Sequence, residues 1–187
     1  GSGTSTNMNM NEVISEVAKR NFKQEIHPND DVNMSQSSND VIPTTLNIAS
    51  LSMSKTLSTS LTFMSESLNS KAITLSNVIK SGRTHLMDAV PISFEQELNV
   101  WEEQVRASQA QIDLSCEEIS YLPIGGTAIG TGINAPKTFA KNVCNELNKI
   151  YSEAKIRFKP LSIKGEMMSS QNHIFSLSSA LTRYAST

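Results

Sequence analysis

The sequence predicts an all-α protein, an elongated bundle of long helices joined by short polar loops. Two stripes of side chains and the segments between them carry that expectation. Leu98, Trp101, Val105, Ser108, Ile112, Ser115, Ile119 and Leu122 recur in alternating steps of three and four, the heptad rhythm of helices that cross near +20° in a bundle. Leu46, Ala49, Met53, Leu57, Leu61, Met64 and Leu68 form a second stripe of similar length. Compact polar islands separate the stripes, which confines any chemistry to the ends of helices.

Taken in order, Gly1 to Asn7 reads as an approach loop whose Ser2, Thr4 and Thr6 hydroxyls lie beside a helix N-terminus. Val13, Ile14, Val17, Ala18 and Phe22 then predict a helix from about Asn9 to Lys23. The next segment, HPNDDVNMSQSSNDVIP over His27 to Pro43, holds more polar groups than a connection between helices needs. Within it Ser35 to Asp40 ends where the long helix begins, so its hydroxyls and amides collect at a helix N-terminus. Unpaired N–H groups and the helix dipole make that a seat for an anion. A cap from Asp40 or Asn39, with Pro43 in the first turn, accounts for one of these side chains and leaves the rest over.

A second island, Ser81 to Ala89 closed by Pro91, puts His85 in a tight Gly-initiated turn flanked by Arg83, Thr84 and Asp88. A cation and a carboxylate are then at hand to set the charge of its imidazole. Ser93 and Gln96 supply a capping box for the heptad helix, on which Ser108 and Ser115 leave gaps for close helix approach. The third island, Gly125 to Gly132, follows a helical pattern, with no strand predicted before it and no phosphate-loop Lys, which argues against a nucleotide fingerprint. Its glycines permit a turn with φ > 0 and close helix packing. Asn134 and Pro136 open a further helix carried by Phe139, Val143, Leu147 and Ile150. Ile156 and Phe158 suggest a short extended piece, and helix resumes from Ile163.

At 187 residues, 38% hydrophobic and 18% charged, the chain suffices for one sizeable domain. Its 16 basic and 18 acidic residues leave a net charge of −2, with no basic field to hold nucleic acid or an anionic membrane. No apolar run has the length of a membrane span, and the start lacks a signal-peptide layout. Cys116 and Cys144 fall on helical patterns and read as buried, reduced thiols of a reducing compartment. His173, between Asn172 and a further apolar stretch, reads as structural. No His, Cys and carboxylate grouping has metal-ligand spacing, so no metal is expected. The helical pattern still runs at Tyr184 to Thr187 without a stop signal, the mark of a piece of a longer chain. The islands are rich in hydroxyl and amide donors, which suits a small polycarboxylate. Proton abstraction beside a carboxylate builds a second negative charge, and each preplaced donor is worth about 3–4 kcal/mol against it.

Five segments in this order and spacing resemble the class II fumarate hydratases of the fumarase/aspartase superfamily. They are Gly1 to Asn9, His27 to Asp30, Ser35 to Asp40, Gly82 to Leu86 and Gly125 to Gly132. The resemblance implies the central helical domain of such a lyase over residues 1–187, with the start of the N-terminal domain and the C-terminal part absent. It implies a homotetramer around a bundle of twenty long helices, with active sites shared by three subunits, no cofactor, and a cytoplasmic or, in a eukaryote, mitochondrial-matrix location. The reaction would be reversible anti addition of water to fumarate through an aci-carboxylate, a step of the tricarboxylic acid cycle. By motif, Ser2, Thr4, Ser37, Ser38, Asn39 and Thr84 would bind the dicarboxylate, and His85 would act with a bound water in the acid–base steps. His27, Asn29 and Asp30 match a second carboxylate site.

Aspartate ammonia-lyases share most of these motifs but tend to carry Thr and Ala where this chain has Ser38 and Gly126. Met87 departs from the usual Gln, and Phe94-Glu95 from the usual Leu-Gly. Nothing in the chain resembles the family's mobile loop, which carries the proton-abstracting serine. By itself the chain is therefore expected to be inert, a helical assembly module.

Overall fold

The computed structural model describes residues 3–187. Its long elements are helical: α1 (Thr4–Phe22), α2 (Ser38–Thr74), α3 (Phe94–Ile119), α4 (Phe139–Ile150), α5 (Gly165–Ser169) and α6 (Asn172–Ala185). A short π-helical turn, Pro28–Val32, precedes α2. Two small strand pairs complete the set: an antiparallel hairpin of β1 (Ile79–Thr84) and β2 (Met87–Ser93), and a parallel pair of β3 (Tyr121–Leu122) and β4 (Lys159–Pro160). The all-α architecture therefore holds. None of the helices described is long and apolar enough to cross a membrane. The chain forms two compact units, one of residues up to Ser52 with Glu117–Phe175, the other of Met53–Cys116 with Ser176–Thr187.

In the first unit α1 begins at Thr4, not near Asn9, so most of the expected approach loop is helix. Gly3 at φ 86° opens it, and Lys23 at φ 56° closes it by donating its N–H to the Lys19 carbonyl, a left-handed C-cap. The face that packs is polar. Asn7 and Asn11 are buried, and both amides donate to Asn33 Oδ1, at 3.1 and 3.0 Å. Val13, Ile14, Val17 and Phe22 are exposed instead. The periodicity located an apolar stripe, but the loop that covers this helix offers hydrogen-bond acceptors rather than apolar surface.

The same inversion marks α2. In the first unit its buried positions are Asp40, Pro43, Thr44, Asn47 and Leu51, and in the second Ser54, Leu61, Ser65 and Ala72. Of the predicted stripe only Leu61 is buried, while Leu46, Met53 and Met64 lie open. Small hydroxyl side chains on the inner face let α3 run antiparallel beside α2 and bond to it. Within the second unit, Ser65 donates to Glu102 at 2.6 Å, Ser58 to Asp113 at 2.9 Å, and Gln109 Nε2 to Thr62 Oγ1 at 2.8 Å. The α3 seam follows expectation: Leu98, Val105, Ser108, Ile112 and Ser115 are buried, though Trp101 is half exposed. The Ser93–Gln96 capping box is formed, with reciprocal bonds of 3.0 and 3.1 Å.

The core of the first unit gathers Leu122, Ile124, Ala140, Cys144, Ile156, Phe158 and Met167. Asn148 on α4 pairs its amide with both backbone groups of Phe158, at 2.7 and 3.0 Å, which holds the extended segment in place as a neighbouring strand would. Both cysteines are buried and unpaired by disulfide. Burial pushes the Cys144 thiol up to about 11 and raises Cys116 as well, so neither is a ready nucleophile.

His173 is also fully buried. Its Nε2 lies 2.9 Å from Asn47 Oδ1, while Asn47 Nδ2 donates to the Tyr121 carbonyl at 3.0 Å. That amide orientation makes Nε2 the protonated nitrogen, leaving Nδ1 without a hydrogen-bond partner among the described residues. Burial lowers the His173 pKa from its ordinary 6.5, against the opposing fields of Glu166 and Glu118. The unfolded chain therefore binds this proton more readily than the folded one. The stability contributed by neutral His173 is complete above about pH 6.5 and is lost as pH falls toward the folded value. Denaturant unfolding at pH 7.5 and 5.5 should show a smaller acid loss in His173→Gln than in the wild type. Equal losses would mean that His173 does not titrate in this window.

Candidate active site

Two of the expected substrate residues, far apart in sequence, meet at the start of α2. Thr4, in the first turn of α1, places Oγ1 3.1 Å from Ser38 Oγ, in the first turn of α2. Gly3 is the reason the two helix N-termini can converge. A Cβ there would sit 2.5 Å from Ile42 Cγ1 on α2, and φ is +86°. Both helices thus direct the positive ends of their dipoles and their unpaired N–H groups to one place.

Ser37 is the cap. Its Oγ accepts the Asn39 N–H at 3.2 Å, and Asp40 Oδ1 accepts the Ser37 N–H at 3.0 Å, the reciprocal arrangement of a capping box. The other Asp40 oxygen accepts the N–H groups of Gly125 and Thr127, at 2.9 and 2.8 Å. Burial raises the Asp40 pKa, opposed by the Ser37, Thr127 and Gly125 N–H groups. Asn39, one residue earlier, donates Nδ2–H to the Ala128 carbonyl at 2.8 Å. The third polar island therefore closes over the start of α2. Between them lies a cleft of about 520 Å³, lined among others by Ser38, Asn39, Ala128, Ile129, Met168 and Gln171, within the usual size range of small-molecule sites.

His27, Asn29 and Asp30 do not line this cleft. They form an exposed, self-capped turn: His27 Nδ1 accepts the Asp30 N–H at 3.1 Å, the His27 N–H donates to Asp31 at 2.6 Å, and Asn29 Nδ2 donates to Asp30 at 3.3 Å. Thr84 and His85 belong to the second unit. The island around them is not a simple loop but the β1–β2 hairpin, with Thr84 paired to Met87 across a two-residue turn of His85 and Leu86. Both turn residues have positive φ, 50° and 63°, the geometry that Asn-Gly normally supplies. Side chains in that region cost about 1–2 kcal/mol per residue, and such strain concentrates at functional positions. Leu86 is 99% exposed. Arg83 does not serve His85, because it pairs with Asp88 across the hairpin at 3.1 Å. Ser2 lies outside the described residues.

A family model described as Lyase matches residues 1–186. The chain belongs to this lyase family. It is 40% identical over 190 residues to the class II fumarate hydratase of Xylella fastidiosa, a match covering 99% of this chain and 40% of that protein. Among solved structures it is similar to the class II fumarase of Schistosoma mansoni, with a TM-score of 0.92 and 34% identity over 100% of this chain and 43% of the other. A fumarate lyase:delta crystallin from Brucella melitensis, in a structure bound to cobalt, gives 0.89 and 38% over 99% of this chain and 41% of the other. The lyase chain thus spans about two fifths of the length of the relatives it matches.

Some of the cleft of this lyase chain escaped the sequence. Met168 and Gln171 come from around α5 and α6 and lie in none of the five segments, whereas Ala128 lies in one but bonds through its backbone carbonyl. Asp40 did leave one, the Ser37-x-x-Asp40 spacing of a capping box.

Proposed function

We propose that this chain is the central helical part of a fumarate hydratase whose whole enzyme adds water reversibly across fumarate to give L-malate in the tricarboxylic acid cycle. The Thr4–Ser38 hydroxyl pair at the converging N-termini of α1 and α2 carries this reading. One substrate carboxylate binds there, against Thr4, Ser37, Ser38 and Asn39, with Ser2 at the edge. Thr84 and His85 complete the site from another subunit of a homotetramer, His85 moving a proton through a bound water. The aci-carboxylate formed on the way carries a second negative charge, which donors and helix dipoles stabilise more than they stabilise the substrate. His27, Asn29 and Asp30 form the second carboxylate site.

Self-association is supported by the apolar side chains left open on α1 and α2, among them Val13, Val17, Met53 and Phe63, more than a monomer usually displays. Ser38 and Gly126 favour hydration over ammonia elimination. A Cβ at Gly126 would meet Met168 Sδ at 2.5 Å, so the alanine typical of the ammonia-lyases would need Met168 to move. The enzyme works in the cytoplasm or a mitochondrial matrix. The test is loss of fumarate absorbance on incubation with the full-length protein, matched by malate formation. No loss, together with ammonia released from aspartate, would assign the protein to the ammonia-lyases instead.

A further inference from the structure

Asp40 is fully buried and is not among the cleft-lining residues, yet its hydrogen bonds all end on the frame of the cleft. It holds the Ser37 N–H on one side, and the Gly125 and Thr127 N–H groups on the other. The turn it holds is a strained one. Gly125 and Thr127 both have positive φ, 81° and 57°, and threonine, being β-branched, resists that region. The Thr127 hydroxyl does not help, since it is buried without a hydrogen-bond partner among the described residues. Within the turn the Gly126 N–H reaches the Pro123 carbonyl at 3.0 Å, and the N–H groups on either side of it, those of Gly125 and Thr127, are held by Asp40. The next carbonyl along, that of Ala128, receives the Asn39 amide.

We propose that Asp40 is a positioning residue for dicarboxylate binding, locking the Gly125–Ala128 turn onto the first turn of α2 and so setting the direction of the Asn39 amide. This inference rests on the reading of the cleft as a dicarboxylate site. Without the carboxylate, the buried Gly125 and Thr127 N–H groups and the part-buried Ser37 N–H lose their acceptor, the turn relaxes, and Ala128 no longer orients Asn39. An asparagine at the same place has one carbonyl, which can still accept from Gly125 and Thr127. Its NH2 then faces the Ser37 N–H, donor against donor, so the residue-40 half of the helix cap is lost while the turn is kept.

The test compares wild type, Asp40→Ala and Asp40→Asn in the full-length enzyme. Succinate affinity is measured by calorimetry, fumarate kcat and KM by absorbance, Tm by scanning, and amide exchange over residues 123–131 by mass spectrometry. Asp40→Ala should lose at least tenfold in succinate affinity and exchange the turn faster. Asp40→Asn should lower Tm as well, but lose less than threefold in affinity and keep the turn protected. A purely structural role would instead make affinity follow Tm. Wild-type affinity in a folded Asp40→Ala, or a loss of more than threefold in Asp40→Asn, overturns the proposal, and the second criterion decides alone if Asp40→Ala does not fold. If the wild type neither binds succinate nor consumes fumarate, the dicarboxylate reading itself fails, and the inference falls with it.

Discussion

Replacing His85 by asparagine in the full-length enzyme is expected to slow fumarate turnover by about a hundredfold or more, the usual scale for a positioned acid–base group. That corresponds to roughly 2.7 kcal/mol of lost transition-state stabilisation. Asparagine is the suitable replacement because His85 sits at φ 50°, a region asparagine enters more readily than most residues. The hairpin should therefore survive, and with it the fold. The imidazole is exposed and has no hydrogen-bond partner among the described residues, while its charged neighbours Arg83 and Asp88 hold each other. Nothing within the hairpin occupies it, as suits a group that works on a molecule arriving from outside. An unchanged rate, measured by absorbance with circular dichroism confirming the fold, would reduce His85 to a turn residue.

The second large effect concerns stability. Gly130 has φ +92°, and a Cβ there would lie 2.5 Å from Gly165 Cα and 2.6 Å from Gly165 N. Neither backbone atom can turn aside as a side chain would. Gly130→Ala combines an unfavourable φ with overpacking and should cost about 2–5 kcal/mol, read as a lower denaturation midpoint. Gly165→Ala is the control from the other side of the same contact. Its nearest neighbour would be Ile129 O at an ordinary 3.6 Å, so it should stay within about 1 kcal/mol of wild type. Equal effects of the two substitutions would contradict this account of how the glycine-rich segment meets α5.

The seam of α3 was legible because its inner face is apolar enough for periodicity to find it, from Leu98 through Ile112 to Ile119. On α1 and α2 the same method selected the outer face. Asn7, Asn11, Asp40, Thr44 and Asn47 are buried against polar partners, and a search for hydrophobic repeats has no term for a buried amide matched to an acceptor. The stripe it found, with Met53 and Met64, is the exposed side of α2. The β1–β2 hairpin was missed because His85-Leu86 occupies its turn in place of Asn-Gly. At the site, the polar islands were visible as composition, and the structure joins Thr4 to Ser38 and Asn39 to Ala128. Asp40's second oxygen on the Gly125–Thr127 turn, contributed by backbone N–H groups, could not be read from side-chain identities.

The central claim is that hydroxyl, amide and imidazole groups held on separate helices and a hairpin converge on one four-carbon dianion. The most direct measurement is a crystal structure of the assembled full-length oligomer with a bound four-carbon dicarboxylate. The account predicts one cavity in which Thr4 and Ser38 of one subunit face Thr84 and His85 of another, with the ligand between them. A ligand bound away from Ser38, or an assembly in which no pairing of subunits brings Thr84 to the Thr4–Ser38 pair, would contradict it.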